Sequence, residues 1–295
     1  MIKHRRLKLS AKREAWAENR DTTLRSKPLR INARYQQRQV ELVQAEIDKM
    51  AKEVSREVTK LFGSNLGKET FAQDASLASQ ARMLMNRISR QWTRRFNLFT
   101  DDWASAAMGG IDKMAGRDLG ESMEALTGGM TIKTDSLSDT TKDILTASTN
   151  QAASLIKSIP QDYLSDVSEG LMRSITMPES NFAKTQTELH KMLTGRFKRY
   201  RNKAKNLVLD QTKKTYEALN SQRMREIGVT QYIWRHAGGS QEPRHLHKYV
   251  LNGKTFDLDD PPIIDEKTGE RGEPGQTYFC SCYKEPVITF GNKKL

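Results

Sequence analysis

Residues 232–282 read YIWRHAGGSQEPRHLHKYVLNGKTFDLDDPPIIDEKTGERGEPGQTYFCSC, and this stretch decides how the rest of the chain is read. It holds three of the five histidines (His236, His245, His247), both cysteines (Cys280, Cys282) and four of the eight prolines. Its pattern is that of short strands and long loops, which bury too little apolar surface to hold themselves rigid, so a bound metal would supply the missing constraint. Cys280 and Cys282 are two apart, so in extended backbone their sulfurs face the same way. Soft or borderline divalent ions prefer thiolate and imidazole. A structural Zn2+ site is therefore expected from Cys280, Cys282 and His247, with His236 or His245 as fourth ligand. The spacing between the cysteines is tighter than the usual two to four residues of zinc sites. Two buried cysteines acting as small apolar groups are the alternative. A disulfide between them is disfavoured by the strain of so short a ring.

Inside the stretch, Gln231–Arg235 alternates around Tyr232 and Trp234, Asn252-Gly253 is a hairpin signal, and Lys254–Leu258 fits a return strand. Glu285–Phe290 reads as a terminal strand, and the segment 259–276 as loop.

Working outward, the preceding sequence is helical. Val40, Val43, Ile47, Met50, Val54, Val58 and Leu61 recur at threes and fours, up to Gly63. A second apolar face runs through Leu77, Ala81, Leu84, Ile88, Trp92, Phe96 and Phe99, whose helical spacing makes its aromatics core rather than a stacking platform. Six glycines at 109, 110, 116, 120, 128 and 129 interrupt the period and predict a hinge or loop-rich connection, or short helices packed through small residues. Helical patterning resumes at Ser138–Ile159, stops at Pro160, and restarts through Tyr163 to Ile175. Ser180 is a candidate N-cap for Phe182–Leu193, and a longer helix from Phe197 to Leu219 closes at Gly228.

The fold class is thus mainly α with a small C-terminal α+β module: an elongated helical region, then short antiparallel strands and long loops. Four segments follow: a basic arm (1–30) that is extended or ordered against a partner, a helical region with a Gly-rich hinge (31–149), a helical approach segment (150–230) and a β module (231–295).

The 295-residue chain carries a net charge of +13, with 36% hydrophobic and 29% charged residues, and its mean hydropathy is −0.72. Residues 1–40 and 184–225 each hold twelve Lys/Arg against three acids. Such windows attract polyanions without reading sequence. Lys3, Arg5, Arg6, Lys8, Lys12 and Arg13, with Arg196, Lys198, Arg199, Arg201, Lys203 and Lys205, are the candidate residues for nucleic acid or an acidic protein. No apolar run is long enough to span a membrane. The N-terminus lacks the apolar core of a secretory signal, and with two cysteines a reducing compartment is expected. A GxSxG elbow, a Walker A loop and a GxGxxG after a strand are all absent, so no catalytic residue is assigned.

The order of elements resembles the phage Mu F-like head morphogenesis family, the minor head proteins of tailed bacteriophages. The resemblance rests on Ala204, Leu207, Asp210, Gln211, Leu219, Arg223, Glu226, Gly228, Tyr232 and Trp234. It continues through Arg244 and His247, then Leu251, Gly253, Lys254 and Phe256, then Pro274, Gly275 and Gln276, and ends at Cys280 and Cys282. It covers about residues 150–290, and it departs from the family at Ser281, where an Arg is common. It implies a non-enzymatic virion protein, present in few copies in the capsid interior or at the portal vertex after assembly in host cytoplasm. Its implied partners are portal, capsid or scaffold proteins, with contact to packaged double-stranded DNA. Two other functions compete: a metal-dependent, HNH-like nuclease, suggested by the order His245, His247, Asn252, and a non-specific nucleic-acid-binding protein.

Overall fold

The computed structural model describes residues 22–64, 76–127, 138–176, 182–238 and 243–290. The protein is mainly helical, with four long helices followed by a small antiparallel sheet. The helices are α1 (Ala33–Ser64), α2 (Leu77–Thr127), α3 (Asp139–Thr176) and α4 (Phe182–Glu226).

Side chains at the starts satisfy backbone N–H groups that have no partner within the helix. Asn32 Oδ1 accepts from the amides of Arg34 and Tyr35 at 2.9 and 3.1 Å. Ser76 and Ser138 do the same for α2 and α3, at 3.3 and 3.0 Å. At the end of α4, Gly228 takes φ +78°, where an L side chain would be strained, and the amide of Val229 returns to Met224 O at 2.9 Å.

Two units divide the chain, and they are discontinuous in sequence. One comprises Gln36–Ser105 and Asn150–Leu209; the other comprises Met1–Tyr35, Ala106–Thr149 and Asp210–Leu295. The four consecutive segments expected from composition do not match this division, because α2, α3 and α4 each contribute residues to both units.

The first unit is a helical core. Val43, Ile47, Met50, Val54 and Val58 of α1 are buried, as are Ile88, Trp92 and Phe96 of α2 and Ile156, Tyr163, Val167 and Leu171 of α3. The aromatic stripe of α2 is core, as its spacing predicts. Trp92 gives its indole N–H to Glu53 at 3.1 Å, and Tyr200 gives its hydroxyl proton to Asp162 O at 3.1 Å. Pro160 does not stop α3, contrary to the sequence expectation. The helix runs through it, and Ile156, Ile159, Tyr163 and Val167 keep one buried face across it, so tertiary burial outweighs the missing N–H. Likewise α4 is continuous from Phe182 to Glu226, where the sequence suggested two helices. Its proposed cap Ser180 lies outside the described residues.

The second unit carries the sheet. Strands β1 (Thr22–Arg25), β2 (Gln231–Arg235), β3 (Thr255–Asp257) and β6 (Tyr283–Phe290) run antiparallel in the order β1-β6-β2-β3. The register sets Trp234 opposite Lys284 and Leu24 opposite Ile288. Residues 22–30, part of the arm expected to be extended or ordered against a partner, are ordered against the chain's own sheet, and Leu29 is buried with its amide on Lys284 O at 2.8 Å. Residues 1–21 lie outside the described residues. A two-stranded ribbon, β4 (Ile263–Asp265) with β5 (Glu270–Arg271), stands where the sequence read only loop. The Asn252-Gly253 turn does not join two strands directly. It closes a π-helical turn (Leu246–Val250), with Gly253 at φ +83° and its amide on Trp234 O at 2.8 Å.

The glycine stretch needs the largest correction. Residues 109–127 are helix, not hinge or loop, and Gly128 and Gly129 lie outside the described residues. A Cβ at Gly110 would sit 2.1 Å from the Tyr35 hydroxyl oxygen. That hydroxyl donates to Ala107 O at 2.8 Å. Gly110 is there for close approach of a ring, a use that leaves no hydrophobic period to read.

Candidate metal centre

The C-terminal end of α4 is the platform of the site. Arg223, buried, holds Asp112 of α2 through its guanidinium at 2.5 Å. Two to three turns back, Lys213 meets Glu217 at 2.5 Å, and Glu217 meets the fully buried Lys284 of β6 at 2.9 Å. Lys284 also pairs with Glu273 at 3.0 Å, and Arg225 reaches the other oxygen of Glu273 at 3.3 Å. Ser221 donates a further short bond to Glu273. Burial pushes the Glu273 carboxyl up, but Lys284, Ser221 and Arg225 outweigh it and hold the pKa below the usual value.

This network fixes the loop that carries the cysteines. Gly275, at φ +86°, passes so close to α4 that a Cβ would stand 2.8 Å from Glu217 Cγ. The side chain of Gln276 accepts from the Glu273 amide at 2.9 Å, and Asp210 Oδ1 accepts from the Phe279 amide at 3.0 Å. Phe279 takes φ +57°, a conformation that bulky residues rarely adopt. Arg244 donates to Tyr278 O at 2.8 Å and ties the π-helical turn to the loop.

Cys280, Cys282 and His247 converge. They form a possible metal-binding group: one ligand atom from each lies within 4.8 Å of the others, and all three residues are buried. His247 Nδ1 is 3.4 Å from Cys280 Sγ and 3.8 Å from Cys282 Sγ. Its Nε2 lies 3.0 Å from the carbonyl oxygen of Ile264, an acceptor, so Nε2 carries the proton and the Nδ1 lone pair faces the sulfurs. The Trp234 ring stands edge-on to His247 with centroids 5.0 Å apart. His236 is close as well: its Nδ1 is 3.7 Å from Cys282 Sγ, and its amide is held by Asn252 Oδ1 at 2.9 Å. His245 does not join. It is exposed and packs on Tyr249 with ring centroids 5.2 Å apart, because helical geometry turns it away from its neighbour but one.

The electrostatics of the group favour a cation. A hydrogen bond from the Cys282 thiol holds the Cys280 pKa down, to about 3, with His247 adding to it against the effect of burial. Cys282 shifts upward by the same bond and by burial. Burial pushes His247 down, but its bonds to Cys280 and to the Ile264 carbonyl leave it raised overall.

The basic candidates divide. Lys3, Arg5, Arg6, Lys8, Lys12 and Arg13 lie outside the described residues. Arg196 pairs with Asp166 at 3.4 Å, Arg199 with the same carboxylate, Arg201 with Asp48 at 3.1 Å and Lys203 with Asp162 at 2.6 Å. Lys198 and Lys205 are exposed and have no carboxylate partner among the described residues. Four of the six positions read as a basic face are therefore neutralised within the chain. The sequence reading missed the Lys284 network and the Asn252 and Ile264 supports; the parity of Cys282 and Lys284 along one strand direction was the available signal.

Among the described residues, no helix is long and apolar enough to cross a membrane. No family model matches the chain, and no solved structure matches it. A curated protein of Haemophilus influenzae, described as uncharacterized, is 27% identical over 134 residues, which is 45% of this chain and 27% of that protein. The chain thus spans only about a quarter of the length of that relative, and the likeness carries no assignment of function.

Proposed function

We propose that the chain is a minor head protein of a tailed bacteriophage, with a C-terminal module clamped by one structural zinc ion. The observation that carries this reading is the convergence of the residues on which the resemblance rests. Asp210, Trp234, Arg244, His247, Gly253, Gly275, Gln276, Cys280 and Cys282 come from four segments, and each supports or belongs to the clamp. Zinc bonds of about 2.0–2.3 Å at tetrahedral angles place neighbouring ligand atoms roughly 3.3–3.8 Å apart. The separations of 3.4 and 3.8 Å from His247 to the two sulfurs and of 3.7 Å from His236 to Cys282 match that scale, beside a three-residue group of His247, Cys280 and Cys282 whose ligand atoms lie within 4.8 Å of one another.

The role is structural. Both nitrogens of His247 are committed, one to a carbonyl and one to the sulfurs, so His247 itself has no nitrogen left to activate water. The helices offer docking faces toward portal, capsid or scaffold proteins. Lys198 and Lys205 offer charge toward packaged DNA.

Quantitative mass spectrometry of purified procapsids and virions from the encoding genome tests the proposal. A few copies per particle are expected, and absence from both particles would remove it. Plasmid nicking that requires a divalent metal and is lost in His247→Ala would replace it with the nuclease reading.

A further inference from the structure

We propose that the surface of the sheet unit over the cysteine–histidine cluster is a docking site for an acidic segment of a partner protein. Large apolar side chains are exposed there at Tyr249 (64%), Ile263 (45%), Tyr278 (51%) and Phe279 (47%). They come from three segments, the π-helical turn, β4 and the loop before Cys280. The fastenings of the cluster hold those segments side by side. His247 bridges Cys280 and Ile264 O, and Arg244 grips Tyr278 O. The backbone of Phe279 is in the left-handed region with its amide on Asp210, and its half-exposed ring packs against Tyr278 with centroids 3.9 Å apart. Backbone strain at a half-exposed aromatic residue is a mark of a functional surface.

The charges nearest the tyrosine rings are positive, while the acids Asp265, Glu266 and Glu270 lie on the ribbon that carries Ile263. The Lys248 ammonium lies 4.8 Å from the Tyr249 ring centroid, and that of Lys214 lies 5.8 Å from Tyr278. Lys214 also pairs with Asp210 at 2.9 Å, whereas Arg244 and Lys248 have no carboxylate partner among the described residues. Ammonium groups parked on the tyrosine faces obstruct base stacking, the main attraction of a single-stranded nucleic acid platform. Two free cations also fix few phosphates. Exposed tyrosines beside an arginine that has no carboxylate partner among the described residues are instead the makings of a protein–protein anchor, and its charge calls for carboxylates opposite.

The inference needs the cluster's packing, and it uses the head-protein reading only to choose where to look. The test places p-benzoylphenylalanine at Tyr249 in the full chain during particle production, followed by irradiation and mass spectrometry. The expected product is a crosslink to an Asp/Glu-rich peptide of another protein. Lys248→Glu should cut its yield roughly tenfold or more, with metal content and melting temperature unchanged, and reversing the peptide's carboxylates to lysine should restore it. Crosslinks to nucleic acid, to another copy of this chain or to an uncharged peptide would overturn the inference, as would no crosslink or a yield indifferent to Lys248→Glu. An acidic partner that is no part of the particle keeps the surface and removes the head-protein reading.

Discussion

His247 and Cys280 meet at 3.4 Å across the base of the C-terminal module. They belong to segments with little helix or sheet of their own, so a bound ion there is folding free energy for the module. Protein purified without chelator is expected to hold about one zinc per chain. Cys280→Ser combined with Cys282→Ser should abolish the zinc. At free zinc roughly 1,000-fold above Kd, the lost stabilisation is about 4 kcal/mol, read as a lower melting temperature. Equal stability with and without metal would return the two thiols to the role of core residues.

The two neighbouring histidines separate the fourth ligand. His236→Ala should weaken zinc binding by roughly 100-fold, at or beyond the upper end for supporting residues around metals. His245→Ala should leave it unchanged, since His245 faces solvent against Tyr249. Competition with a chromogenic chelator measures both, and the reverse order would refute the assignment.

Lys284 has no access to water and stands between Glu217 and Glu273. Lys284→Met removes the cation shared by two buried carboxylates, leaving Glu217 with Lys213 and Glu273 with Arg225 and Ser221, and should cost about 3 kcal/mol. Urea titration at pH 7 gives the value, and a loss under about 1 kcal/mol would mean that water reaches the site.

Glu273 sets a pH dependence. Its folded pKa lies below its unfolded value, so its contribution is full above about 4.5 and is lost as pH falls through the lower folded value. With chelator present throughout, the wild type should lose stability below pH 4.5. Glu273→Gln should be weaker at pH 7 and flatter below it, and parallel curves would rule the assignment out.

Gly110→Ala should destabilise by about 1–3 kcal/mol, because the added methyl meets the Tyr35 ring. Tyr35→Ala in the same chain should remove most of that increment. Were residue 110 in a hinge, as its glycine-rich setting suggests, the single substitution would be nearly silent.

Sequence alone determined what local periodicity and chemistry can determine. The apolar threes and fours of α1 and of the first half of α2 became buried faces, Ser138 and Gly228 became helix ends, and Cys280, Cys282 and His247 came together. Other features depended on partners far along the chain. Residues 22–25 pair with β6 because an open strand edge and Leu29 gain from burial there. Gly110 stays helical because Tyr35 fills the space beside it, and Arg199, Arg201 and Lys203 lose their free charge to carboxylates on α1 and α3. A side chain's type is fixed where it stands, but its neighbour across tens or hundreds of residues is chosen by packing and charge compensation in three dimensions.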